Sequence, residues 1–150
     1  MQTESSTTVN VPAGQEETLL VSGNTITVRI GGKQTDDAYS VFELSVPPNV
    51  GAGLHIDKDW DEWWHVMEGT FAFTLNGEQI ELSAGGFAYG PKGIPHIFKN
   101  VGEATGKLVM LTMPSGLEKF FKTVHEASLH GRPDKETFVN MMRAHHIEPA

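Results

Sequence analysis

A chain of 150 residues, 39% hydrophobic and 20% charged, has room for one packed domain and is too short to expect two. Its formal net charge of −8 argues against nucleic acid and anionic membranes as partners, because both reward clustered Lys and Arg. It has no cysteine, which removes disulfides, thiolate metal sites and cysteine nucleophiles, and no apolar run approaches the roughly 20 residues of a membrane span.

In chain order, residues 1–16 are polar and aperiodic and read as a mobile N-terminal segment or a late-pairing edge. They lack the basic start and apolar stretch of a secretion signal, so a cytoplasmic location is expected. Leu19-Leu20-Val21 opens the apolar runs, and Ser22-Gly23-Asn24 reads as a turn. Residues 25–30 alternate polar and apolar, as a half-buried strand does. Further strands are expected at 38–46, 54–57, 62–67, 70–75, 79–82, 95–99 and 107–113, with Asn76-Gly77 as a two-residue hairpin turn. Many short strands punctuated by Gly, Pro and Asn favour a mainly β sandwich or barrel over 17–114. The period then changes. Leu117, Phe120, Phe121 and Val124 fall at helical spacing, with Ser115 and Glu118 at the spacing of a capping box. Phe138, Met141, Met142 and His145 repeat that spacing behind Asp134 as N-cap, which predicts a helical extension over 115–150. No internal repeat is visible, so a single barrel is expected.

Four side chains stand out for chemistry. His55 and Asp57 are two apart on a strand and share a face. Glu62 follows a charged turn, and His96 sits on a later strand behind Pro91-Lys92-Gly93-Ile94-Pro95. Strands converging inside a barrel would bring two imidazoles and one or two carboxylates to one point. That donor set suits one divalent Fe, Mn, Ni, Co or Zn ion.

These residues carry a resemblance. Gly85-x5-Pro91-x-Gly93-x2-His96-x3-Asn100 is similar at every position to the second motif of the cupins. Glu62-x6-Gly69, preceded by His55-x-Asp57-x4, resembles the first cupin motif, with Asn49 where its leading Gly stands and Asp57 replacing its second histidine. The segment from Glu62 to Phe71 is similar to single-domain cupins grouped with the quercetinase-like dioxygenases. The resemblance implies a cupin double-stranded β-helix, or jelly-roll, barrel with one or two C-terminal helices. It carries His55, Glu62 and His96 over as metal ligands. Asp57 stays open between a fourth ligand, a member of a two-histidine, one-carboxylate triad, and a turn acid beside a site that has lost a ligand and perhaps its metal.

Other candidates have plainer readings. His65 lies off the parity of Glu62 and Trp64 and should face away from them, while His125, His130, His145 and His146 read as surface or packing residues. Trp60, Trp63 and Trp64 read as packing, with Trp64 the best placed to wall a pocket; Asp59 and Asp61 read as a charged loop. Two functions follow. One is a metalloenzyme of dioxygenase type acting on an aromatic or enolic small molecule, with Glu62 as its catalytic base. The other is a non-catalytic small-ligand-binding or sensor cupin. A homodimer is expected in either case, formed by N-terminal strands that add to the partner's sheet edge.

Overall fold

The computed structural model describes residues 8–150, so residues 1–7 of the polar N-terminal segment lie outside it, and 8–16 form no helix or strand. The chain runs through β1 (Glu17–Val21), β2 (Asn24–Ile30), a short helix α1 (Gly32–Thr35), β3 (Ser40–Val46), β4 (Gly51–Asp57) and β5 (Asp61–Glu68). It continues through β6 (Thr70–Leu75), β7 (Glu78–Ser83), β8 (Phe87–Gly90), β9 (Pro95–Asn100) and β10 (Gly106–Met113). Two helices, α2 (Leu117–Ser128) and α3 (Lys135–Ala144), and a last strand, β11 (Ile147–Pro149), complete it.

The strands form two antiparallel sheets, in the orders β1-β2-β3-β10-β5-β8 and β11-β4-β9-β6-β7. Period-two alternation decides which side chains meet between them. On β3, Phe42, Leu44 and Val46 point inward; on β10, Leu108 and Met110; on β5, Trp64 and Val66. The opposing sheet contributes Phe71, Phe73 and Phe98, whose rings lie 6.2–6.4 Å apart by centroid. Burying each such side chain stabilises the fold by roughly 1.5–3 kcal/mol.

Two turns show how local chemistry sets the register. Asn76 and Gly77 take φ of 49° and 84°, the left-handed pair of a tight hairpin, and place Leu75 opposite Glu78. Asn100, fully buried, donates from Nδ2 to the carbonyls of Val46 and Ala104 and accepts from the Gly102 amide, so it closes the bend after β9. At Gly51 a Cβ would meet the Phe98 carbonyl oxygen at 1.9 Å, and this contact lets β4 lie close against β9.

The expected strands form, with differences at short or distant segments. β8 has only four residues, too few for a period, and β11 has three. β11 pairs Ile147 with Asp57 and Pro149 with His55, so the region after residue 114 ends in a strand as well as carrying helices. α3 starts as expected, with Asp134 Oδ1 accepting from the Thr137 amide at 2.7 Å. α2 does not use the expected capping box. Its N-cap is Gly116; Ser115 Oγ donates to Asp37 instead, and Glu118 reaches the Gly116 and Gly32 amides and the Ser40 hydroxyl. A buried carboxylate with three donors, one at its own N-cap and two on α1 and β3, has no need of a serine partner. The apolar stripe of α2 lies over the barrel mouth, with Phe121 edge-on to Phe42 at 5.3 Å.

Candidate metal centre

The centre forms where β4, β5 and β9 meet. His55 and Asp57 come from β4, and His96 from the adjacent β9 in direct register with His55, so the two rings stand 4.2 Å apart. Glu62 enters from β5, in the opposite sheet. The turn between β4 and β5 therefore carries the chain from one sheet to the other, and the carboxylate faces the imidazoles across the barrel. Gly93 donates its amide to the Asp57 carbonyl at 2.8 Å, which docks the turn before His96 against the end of β4. Asp61 accepts from the Lys92 amide at 2.8 Å and Asp59 pairs with His146, so these two acids tie turns together rather than standing free in a charged loop.

The donor atoms converge. His96 Nε2 lies 3.1 Å from Asp57 Oδ2 and 3.5 Å from Glu62 Oε2, and His55 Nε2 lies 3.6 Å from Asp57 Oδ2. His55, Asp57 and His96 each place one donor within 4.8 Å of the others, and Glu62 joins through His96. Both rings use Nδ1–H to reach a backbone carbonyl, His55 to Gly53 at 2.6 Å and His96 to Ile94 at 3.3 Å. Because a carbonyl only accepts, Nδ1 carries the proton and Nε2 turns inward, as in many metal-bound imidazoles. Trp60, in the turn, donates from Nε1 to Glu62 Oε1 at 3.1 Å and leaves Oε2 toward His96.

A cation fits these atoms. Asp57 Oδ1, Asp57 Oδ2 and His96 Nε2 are buried without a hydrogen-bond partner, since the 3.1 Å approach is off hydrogen-bonding geometry. Buried polar atoms without partners are costly, and a divalent ion would satisfy all three at once. The electrostatics agree. Burial would push the His96 ring down, but Asp57 and Glu62 outweigh it and hold the ring up at about 10. Burial raises the Glu62 carboxyl, the Asp57 charge adds to this, and the carboxyl stands at about 7 despite His96. Asp57 stays below the usual carboxylate range because the two imidazoles outweigh its burial. The cluster thus favours positive charge at its centre, supplied by protons or by a metal.

A cavity of about 300 Å³ opens from the centre, with His55 and Glu62 on its wall. Phe98 and Met110 from the sheets line it, and Phe120, Phe121, Phe138 and Met142 from α2 and α3 roof it. Trp64 is buried 5.2 Å from the His96 ring, on Glu62's face as expected, and His65 faces outward, stacked on Phe87. Sequence reasoning missed two features. Trp60 lies in a turn, where strand parity assigns no direction, and nothing local indicates that the helices roof the cavity.

A two-sheet barrel with imidazoles and carboxylates at the meeting of three strands defines the class. Residues 42–112, a little under half of the chain, match the family model described as a cupin domain, and that region has the cupin fold. It is 30% identical over 112 residues to quercetin 2,3-dioxygenase of Bacillus subtilis, covering 75% of this chain and 33% of that one. It is 29% identical over 75 residues to an uncharacterized protein of Methanocaldococcus jannaschii, covering 50% of this chain and 60% of the other. The chain thus spans less than two thirds of the length of these curated relatives. Among solved structures it resembles KdgF from a Halomonas species, with TM-score 0.65, 17% identity and coverage of 72% and 94%. It also resembles the polyketide cyclase RemF from Streptomyces resistomycificus, with TM-score 0.63, 21% identity and coverage of 73% and 81%. These two likenesses establish the fold alone. No helix among the described residues is long and apolar enough to cross a membrane.

Proposed function

We propose that this cupin is a metal-dependent small-molecule enzyme of dioxygenase type, with an aromatic or enolic substrate. His55, Asp57, Glu62 and His96 hold one divalent Fe, Mn, Ni, Co or Zn ion, and Glu62 is the catalytic base. The observation that carries this reading is the buried donor cluster opening onto an aromatic-lined cavity through His55 and Glu62. The ion, when bound, would supply Lewis-acid polarisation of a substrate oxygen. The chain's own groups do the rest. Phe98, Phe120, Phe121 and Phe138 present ring surface to a planar ligand and exclude water from it. Glu62 borders the cavity, where it can accept a proton from an acidic hydroxyl, and Trp60 holds its other oxygen in place. Likeness to a quercetin dioxygenase supports the substrate class.

The test combines metal analysis, ligand binding and oxygen consumption on one preparation, purified without a metal-binding tag. The parent should hold close to one divalent ion per chain, and His96→Ala should lose most of it. Glu62→Gln that retains metal should still bind an enolic or phenolic ligand and turn it over about 10²–10⁴ times more slowly. A loaded parent that binds such ligands but neither alters them nor consumes oxygen would replace the enzyme with the sensor.

A further inference from the structure

α3 brings a charge to a position where its own pattern calls for an apolar residue. Lys135, Phe138, Val139 and Met142 stand at i, i+3, i+4 and i+7, which is one face of a helix, and all four line the cavity. Three of them continue the apolar roof. Lys135, which opens the stripe, is the only Lys or Arg among the described residues that line the cavity. It is exposed, so it stands at the rim, with its stem along the wall and its ammonium at the opening.

Nothing within the described residues pairs with this charge. Lys58, Lys107 and Lys122 lie 3.8, 3.9 and 3.4 Å from Glu148, Glu68 and Glu17, whereas Lys135 forms no ion pair among the described residues. Its neighbour Asp134 gives Oδ1 to the Thr137 amide at 2.7 Å, and Glu136, one residue along, projects from another side of the helix. The metal centre does not compete for an anion, because Asp57 and Glu62 would balance a divalent ion there, and α3 supplies none of its donors. A carboxylate entering an apolar cavity loses its hydration, and only a cation beside it offsets that loss. Lys135 is where the wall provides one. The same wall holds a second unmet group. Asn24 gives its amide N–H groups to the Val21 and Gly51 carbonyls, both at 3.1 Å, and its Oδ1 is buried without a partner. Such an acceptor is satisfied by a hydroxyl on the ligand.

We infer that Lys135 determines specificity in this cavity by holding a carboxylate of the aromatic substrate, which leaves the substrate's acidic hydroxyl to the metal centre. Phe138, one helical turn along the same face, presents its ring to the ring of that substrate. The inference rests on the enzyme reading above and narrows its substrates to hydroxylated aromatic acids.

Calorimetric titration of the full chain, loaded with redox-inert Zn(II), tests this with 4-hydroxycinnamate and its methyl ester, which share ring and hydroxyl and differ at the carboxylate. The parent should bind the acid about tenfold more tightly than the ester, as a charge-assisted bond at a partly exposed site allows. Lys135→Met keeps the stem and removes the charge, so it should bind both probes about as the parent binds the ester. Lys135→Arg should restore the preference. A parent that binds the acid no more tightly than the ester, a Lys135→Met protein that keeps the preference, or a Lys135→Arg protein that lacks it overturns the inference. Metal content measured on the same samples keeps the two readings apart. A chain that holds no metal fails the enzyme reading, while the preference for the acid, and its loss in Lys135→Met, are read all the same.

Discussion

At the scale of residues, the centre depends on side chains that do not touch the site's central point. Trp60 is buried, and its indole N–H is the hydrogen-bond donor to Glu62 Oε1. Removing a donor from a buried carboxylate leaves that oxygen desolvated and unpaired, at a cost of about 1–3 kcal/mol. Trp60→Phe keeps most of the ring volume and should lower stability by that amount while retaining metal. Because Glu62 would then be free to reorient, the visible absorption of the Co(II)-loaded variant should differ from the parent's. An identical spectrum and an identical melting curve would show that the bond contributes nothing. Asp57 has the same logic from the other side: both of its oxygens are buried without partners.

At the scale of elements, β11 joins the site to the end of the chain. Ile147 is buried and stands opposite Asp57 in the ladder, and Pro149 stands opposite His55. The strand thus backs the end of β4 that carries His55 and Asp57, and Ile147 also lines the cavity. Ile147→Ala removes three carbons from a packed position and should cost about 2–4 kcal/mol. In a domain of this size the melting temperature should fall by roughly 5–15 °C. If β11 also holds β4 in register, metal affinity should fall with it, measurable by competition with a chelator. Full stability in Ile147→Ala would mean that β11 is only laid against the sheet.

At the scale of the whole molecule, the cluster makes stability depend on pH and on metal together. In the metal-free protein the Glu62 carboxyl is raised from 4.5 to about 7, so its contribution is complete below 4.5 and is lost as pH rises through 7. The His96 ring is raised from 6.5 to about 10, so its contribution is complete below 6.5 and is lost as pH rises through 10. Asp57 has the opposite sign: lowered from 3.8, it stabilises above that value and loses its effect only in stronger acid. Metal-free protein should therefore melt at progressively lower temperature as pH rises above 4.5, and Glu62→Gln should flatten the portion between 4.5 and 7. A divalent ion must displace the same protons, so its stabilisation should grow with pH and the loaded protein should show the reverse trend. Thermal melts across pH, with and without metal, check both slopes; a metal-free protein whose stability rises from 4.5 to 7 contradicts the assigned environment of Glu62.

Much of this was legible in the residues themselves. Alternation on β3 and β5 and the helical stripe of Leu117, Phe120, Phe121 and Val124 are local periodicities, set by how a strand or helix points successive side chains. Asn76-Gly77 specifies its turn by backbone conformation alone. His55, Glu62 and His96 were visible through spacing and resemblance, although no spacing shows that His96 Nε2 comes within 4 Å of both the Asp57 and the Glu62 carboxylates. What only the tertiary structure decided involves partners distant along the chain. Asp57 faces both imidazoles with its oxygens unpartnered, Trp60 reaches Glu62 from a turn, Ile147 pairs with Asp57 ninety residues away, and α2 and α3 roof the cavity. Local pattern encodes which face of an element is apolar. Which elements share that interior, and in what register, is settled only when the sheets close and every buried group must find its partner.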